Sequence, residues 1–241
     1  MRILVVNDDG VQAPYLETLV RVASRYGFVY VAAPIKAQSA TSHGITIASR
    51  ILVDKSSYHV PGSEKTIAVD GFPADCVRLG VAVFDVEFDL VISGINAGFN
   101  IATDHIYSGT VAAAREAAIL GIPGLAISTH SLDSPNLDFK VALVLEEVLS
   151  EDKYLKYRLL NVNIPRNPEI KGVKYTTQGR RLFHAEFSPL PDSNDYKITY
   201  SQMIYDESSE TDAYNLDNDY IVITPLTVDQ TDYDELKKMK K

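Results

Sequence analysis

Near its start the chain carries an apolar run, Ile3-Leu4-Val5-Val6, that stops at Asn7-Asp8-Asp9-Gly10. A continuous apolar run bounded by polar residues is the pattern of a strand covered on both faces, as in a parallel sheet between two helix layers. Helical periodicity follows at once. Pro14 suits a first helical position, Leu16, Leu19, Val20 and Ala23 recur on one face, and Gly27 suits the residue after a helix. Phe28 to Ala33 reads as a second strand, closed by Pro34. The alternation continues with Asp89 to Ile92 as strand, Thr110 to Leu120 as helix, Gly124 to Ser128 as strand, Phe139 to Leu149 as helix and Leu159 to Val162 as strand. The pattern predicts an α/β fold with a Rossmann-like, doubly wound, mostly parallel sheet.

Beyond about residue 165 the texture changes. Tyr196 to Tyr205 and Tyr220 to Thr224 read as strands without helices between them, and Asp229 to Lys241 as a helix with acids first and lysines last. The expected organisation is a catalytic core over residues 1–165, continuous with a β-rich arm and C-terminal helix over 166–241. Unpaired apolar strands are an aggregation hazard that oligomers remove, so this late region, with its Tyr-dense strands and the Ile221 to Leu226 run, is expected to pair with another subunit in a homodimer or homotetramer.

At 241 residues, 46% of them hydrophobic, the chain can bury a core without staples. Its single cysteine, Cys76, excludes a disulfide framework and a Cys-rich zinc site, and fits a reducing compartment. The opening apolar run is too short for a signal-peptide core, and no stretch has the length of a membrane span. A cytoplasmic protein with no membrane partner is expected. The net charge is −9, and the segment from Asp192 to Asp219 holds eight acids against one base, Lys197. Such a surface repels phosphate backbones, which excludes duplex nucleic acid as a partner.

Open α/β sheets bind ligands beyond the carboxyl ends of their strands, where strand order reverses. Asp8 and Asp9 stand at such an end, and adjacent carboxylates repel unless they share a cation; the bland alternative is an Asx turn. The second strand leads into Gln38-Ser39-Ala40-Thr41-Ser42-His43-Gly44, and a later one exits through Ser93-Gly94-Ile95-Asn96-Ala97-Gly98-Phe99-Asn100. Two carboxylates, a hydroxyl and an amide oxygen make a hard ligand set that favours Mg²⁺ or Mn²⁺ over zinc. Tyr107-Ser108-Gly109-Thr110 opens an Ala-rich helix whose N-terminal N–H groups suit phosphate oxygens, or serves as an ordinary cap. It lacks the Gly-Lys-Ser/Thr element of a Walker loop. His43 and His105 have no metal-pair spacing, although His105 lies three residues before Ser108.

Together these segments resemble the SurE (survival protein E) family of metal-dependent nucleotidases and acid phosphatases. The resemblance runs through Asn7-Asp8-Asp9-Gly10, Gln38-Ser39, Pro73-Ala74-Asp75-Cys76-Val77, Ser93-Gly94-Ile95-Asn96, Tyr107-Ser108-Gly109-Thr110-Val111, Asn161-Val162-Asn163-Ile164-Pro165, Gly179-Arg180-Arg181, Thr211-Asp212 and Ile223-Thr224-Pro225-Leu226. It implies that Asp8, Asp9, Ser39 and Asn96 hold the metal and that Ser108, Gly109 and Thr110 cradle the phosphate, with Asn7, Ser39 and Asn100 beside it. Asp8, Asp9 and Asn96 are the implied catalytic set. The implied reaction is hydrolysis of nucleoside 5′- or 3′-monophosphates, with short polyphosphate as a further substrate. Tyr15, Ala40 and Ala102-Thr103 depart from the usual glycine, glycine and Gly-Asp; a tyrosine at the first of these would narrow the mouth or stack on a base.

Two other readings share the opening acids. A haloacid-dehalogenase-like phosphatase, with a covalent aspartate, expects Asp-x-Asp where this chain has Asp-Asp-Gly. A receiver-like Mg²⁺-binding signalling domain expects a phosphorylatable aspartate at a later strand exit, where this chain has Asn96.

Overall fold

The computed structural model describes residues 1–130, 134–191, 193–205 and 208–240. The elements run β1 (Arg2–Val6), α1 (Pro14–Ala23), β2 (Phe28–Pro34), β3 (Val53–Asp54), β4 (Lys65–Val69), α2 (Pro73–Phe84), β5 (Leu90–Ala97), α3 (Gly109–Ile119), β6 (Gly124–Thr129), α4 (Leu137–Leu149), α5 (Lys153–Tyr157) and β7 (Leu159–Ile164). They continue with β8 (Gly172–Tyr175), β9 (Arg181–Pro189), β10 (Tyr196–Tyr205), α6 (Asp212–Asp217), β11 (Tyr220–Pro225) and α7 (Tyr233–Met239).

The strands form one nine-stranded sheet in the order β3-β4-β2-β1-β5-β6-β7-β11-β8, and a separate hairpin of β9 and β10. From β4 to β7 neighbouring strands are parallel, and antiparallel pairs occur at β3–β4 and β7–β11. Alternation along β1 explains why its run is apolar throughout. Ile3 and Val5 pack with Leu16, Leu19 and Val20 of α1 and Val141 and Val144 of α4. Leu4 and Val6 turn to the opposite face, against Cys76 and Val77 of α2 and Ala113 and Ala117 of α3. Each residue from Ile3 to Val6 is thus covered, as the period of two requires.

The chain leaves β1 toward β2 on one side and later returns through α2 to β5 on the other, so strand order reverses between β1 and β5. The alanines of α3 let that helix sit close to the sheet. A Cβ at Gly124, the first residue of β6, would stand 2.0 Å from the Ala114 carbonyl oxygen, so glycine is the residue that fits. Helix α3 is thereby pressed down with its N-terminus over the β1–β5 crevice.

Two findings modify the sequence reading. Strand β4 and helix α2 lie in a stretch whose periodicity is weak, since Asp75 and Arg78 interrupt the helix and Lys65 and Thr66 the strand. The late region divides: β8 and β11 join the main sheet, β11 antiparallel to β7, so the Ile221 to Leu226 run pairs within this chain instead of with another subunit. Among the described strands β9 and β10 stand apart, with Phe187, Tyr196 and Ile198 exposed.

Candidate active site

At the carboxyl end of β1 the chain must turn sharply, and Gly10 does so at a φ of 103°. Asn7 braces this turn with both ends of its amide: Nδ2 donates to Gly10 O at 2.8 Å and Oδ1 accepts Gly10 N–H at 3.2 Å. The turn aims Asp8 and Asp9 into a cavity of about 220 Å³, lined also by Ser39, Ala40, Asn96, Ala97, Asn100, Asp104, Tyr107 and Ser108.

Asp8 is buried beneath the N-terminus of α3. Thr110 Oγ1 donates to Asp8 Oδ1 at 2.5 Å. Gly109 permits this approach, because a Cβ there would stand 3.1 Å from Asp8 Cβ. Burial pushes the Asp8 carboxyl up to about 6; the Thr110 hydroxyl opposes that rise and the charge of Asp9 adds to it. Asp9 is also raised by burial, opposed by a backbone hydrogen bond at Ala97.

Ser39 arrives on the loop after β2. Gln38 N–H donates to Asp8 O at 2.7 Å, and Ser42 binds Tyr107 O through its N–H at 2.9 Å and Ile106 O through its hydroxyl at 2.8 Å. His43 Nε2 lies 2.8 Å from Glu116 Oε2 on α3. His43 is therefore an anchor of the loop. Asn96 donates from Nδ2 to Gly98 O at 2.8 Å, which leaves its carbonyl oxygen as the end available to a ligand. Ser108 caps α3 by accepting Val111 N–H at 3.1 Å, and it also lines the cavity.

Of the residues singled out from the sequence, the cavity brings together Asp8, Asp9, Ser39, Asn96, Asn100 and Ser108. Asn7, Gly109 and Thr110 stand behind its wall, occupied with Gly10 and Asp8. His105 is buried, with Nδ1 2.7 Å from Ala102 O, and it braces the turn Ala102–Ile106 instead of facing the cavity. Tyr15 is 6% exposed and packs in the core with α1, so it neither narrows the mouth nor stacks on a base. Asp104 was missed as a site residue: it supplies a third carboxylate to the lining, paired with Arg181 Nη1 at 3.1 Å. Its one signal was an acid just beyond the Asn96–Asn100 exit.

A second cleft, of about 320 Å³, is larger and lies at the N-terminus of α1 between Val11–Glu17 and Ser57–Pro61. It contains neither the carboxylate pair nor any residue of the strand exits, so size does not decide between the two.

The donor set of the smaller cavity fits a hard divalent cation. Two carboxylates crowded by burial are unfavourable without one, and the Ser39 hydroxyl and Asn96 carbonyl complete an all-oxygen set. Among the described residues no group of three His, Cys, Asp or Glu side chains is set to hold a metal ion, and this set needs only two acids. Fold and site together define a Rossmann-like α/β protein with an acidic, cation-suited cavity at its switch point and a helix N-terminus beside it.

Comparison with known proteins gives the same result. The family model for survival protein SurE matches residues 3–185. The 5′-nucleotidase SurE of Petrotoga mobilis is 40% identical over 249 residues, covering 100% of this chain and 98% of that protein. That of Kosmotoga olearia is 37% identical over 251 residues, again covering 100% and 98%. The crystal structure of the SurE protein from Aquifex aeolicus matches with a TM-score of 0.82 at 34% identity, over 100% of this chain and 98% of that one. The chain belongs to the SurE family, whose members are metal-dependent phosphomonoesterases.

Proposed function

We propose that the chain hydrolyses nucleoside 5′- or 3′-monophosphates to nucleoside and phosphate, with short polyphosphate as a further substrate, using Mg²⁺ or Mn²⁺. The observation that carries this reading is the pairing of buried Asp8 with half-buried Asp9 under the N-terminus of α3, in a cavity sized for a phosphoryl group. The 5′-nucleotidases to which the chain is similar support the choice of substrate.

Asp8, Asp9, Ser39 and Asn96 would hold the cation. When bound, it neutralises phosphoryl charge and makes water a better nucleophile. Asp8 orients the attacking water and accepts its proton. Ser108, backed by Gly109 and Thr110 at the positive end of α3, and Asn100 present donors to the phosphoryl oxygens. Water adds to phosphorus as the ester P–O bond breaks, and the leaving alkoxide takes up a proton from solvent while Asp8 later releases the one it accepted. No phosphoenzyme forms, since the acids are engaged as ligands.

Among the described residues no helix is long and apolar enough to cross a membrane. A buried free thiol at Cys76 suits a reducing, cytoplasmic setting. The exposed apolar residues of the β9–β10 hairpin support pairing of copies as a dimer or tetramer.

The test is a phosphate-release screen over nucleoside monophosphates, sugar phosphates and polyphosphate with Mg²⁺, Mn²⁺, Co²⁺ and Zn²⁺. Cation-dependent release from nucleotides is expected; no release from any of them would overturn the reading. Hydroxylamine trapping of an acyl phosphate on Asp8 or Asp9 would instead move the mechanism to covalent catalysis.

A further inference from the structure

Asn100, just past the end of β5, is gripped by side chains from β6 and β7. Asn163 on β7 meets its main chain twice, with Oδ1 accepting Asn100 N–H at 2.8 Å and Nδ2 donating to Asn100 O at 3.1 Å. Asn161 Nδ2 donates to the same carbonyl at 2.7 Å. The Asn100 carboxamide in turn meets Ser128 Oγ on β6, its Nδ2 donating at 2.8 Å. Ser128 and Asn163 are fully buried and Asn161 nearly so. Register places Ser128 beside Asn96 on one side and Asn163 on the other, so one row of the sheet carries all three. Polar side chains at such depth are costly unless each has a partner, and their partner here is a residue of the cavity wall.

We propose that Ser128 and Asn163 are positioning residues, which hold Asn100 so that its amide nitrogen meets a phosphoryl oxygen of the substrate. This rests on the phosphomonoesterase reading above. Phosphoryl oxygens only accept hydrogen bonds, so Asn100 must offer Nδ2 to them. That nitrogen carries two N–H groups: one donates to Ser128 Oγ, which fixes the plane of the carboxamide and leaves the other for a phosphoryl oxygen. The two bonds from Asn163 hold the main chain beneath it. Alanine at 128 would leave the carboxamide unguided; threonine would keep the hydroxyl.

The experiment compares wild type, Ser128→Ala, Ser128→Thr, Asn100→Ala and the Ser128→Ala/Asn100→Ala double variant, each saturated with Mg²⁺. The readouts are KM and kcat for a nucleoside monophosphate and the inhibition constant of inorganic phosphate. Ser128→Ala should raise KM and the phosphate inhibition constant about tenfold, the worth of one well-made hydrogen bond, with kcat held within about twofold. Ser128→Thr should restore both. In the Asn100→Ala background, Ser128→Ala should add less than about twofold, because its effect runs through Asn100. An unchanged phosphate constant in Ser128→Ala, a threonine variant as weak as alanine, or a tenfold loss persisting without Asn100 would each overturn the proposal while wild-type activity stands. A wild-type chain that neither hydrolyses the nucleotide nor binds phosphate would remove the underlying reading and this proposal with it.

Discussion

The hydroxyl of Thr110 donates to the carboxylate of Asp8 at 2.5 Å, joining the exit of β1 to the first turn of α3. The carboxylate proposed to hold the cation and the helix proposed to face the phosphate are therefore one mechanical unit. Removing the hydroxyl by Thr110→Val should raise the metal concentration for half-maximal activity about tenfold, since an uncoupled Asp8 is easier to protonate and free to turn. Thr110→Ser should behave like wild type. Phosphate release measured against Mg²⁺ concentration checks both.

Asp8 sets a pH dependence of stability. Its carboxyl is raised from 3.8 to about 6, chiefly by burial. A folded-state pKa above the unfolded value means that stability is fully present below about pH 4 and is lost as pH rises through about 6, by up to about 3 kcal/mol. This holds for protein without a cation, and Asp9, also raised, acts in the same direction. In chelator at pH 7.5, Asp8→Asn should therefore melt above wild type, and the difference should shrink at pH 5. Added Mg²⁺ should raise the melting temperature of wild type more at pH 7.5 than at pH 5. Thermal melts at the two pH values decide this.

Arg181 holds the charge of Asp104 in check at 3.1 Å, at the point where β9 leaves the core. Both side chains are largely sheltered, so the pair is less screened than a surface one. Arg181→Gln would leave a bare carboxylate facing a phosphate dianion. KM for a nucleoside monophosphate should rise several-fold, about 3 to 10, and more at low than at high ionic strength. Adding Asp104→Asn should bring it back, which steady-state kinetics at two salt concentrations would show.

Ala40 takes a φ of 56° in the Ser39 loop, and it is exposed. Left-handed backbone disfavours a Cβ, so Ala40→Gly should stabilise the fold by about 0.5–1 kcal/mol after the added unfolded-chain entropy of glycine. Urea denaturation measures this. The same strain occurs at Ala102, φ 51°.

The parts of this site that were legible in the sequence are those whose position follows from chain order. An apolar run ending in two acids can only place Asp8 and Asp9 at a strand exit, and Ser108 before an alanine helix can only be at its start. Side-chain direction was not legible, because packing decides it. Asn7 turns back to Gly10, Thr110 turns to Asp8 and His105 turns to Ala102 O, although each stands within two residues of one that does line the cavity. Asp104 was hidden for a related reason, since its partner Arg181 lies far along the chain. The insertion of β11 between β7 and β8 was likewise invisible, because a short strand carries no mark of which distant strand it will pair with.

The most direct measurement is a titration of the folded wild-type chain with Mn²⁺, followed by electron paramagnetic resonance, alongside Asp8→Asn and Asp9→Asn. The wild type should bind one ion per chain, inorganic phosphate should perturb its spectrum, and either substitution should weaken binding by about tenfold or more while circular dichroism shows an unchanged fold. Equal Mn²⁺ binding by wild type and the Asp8→Asn/Asp9→Asn double variant would contradict the assignment of these two carboxylates as the cation site.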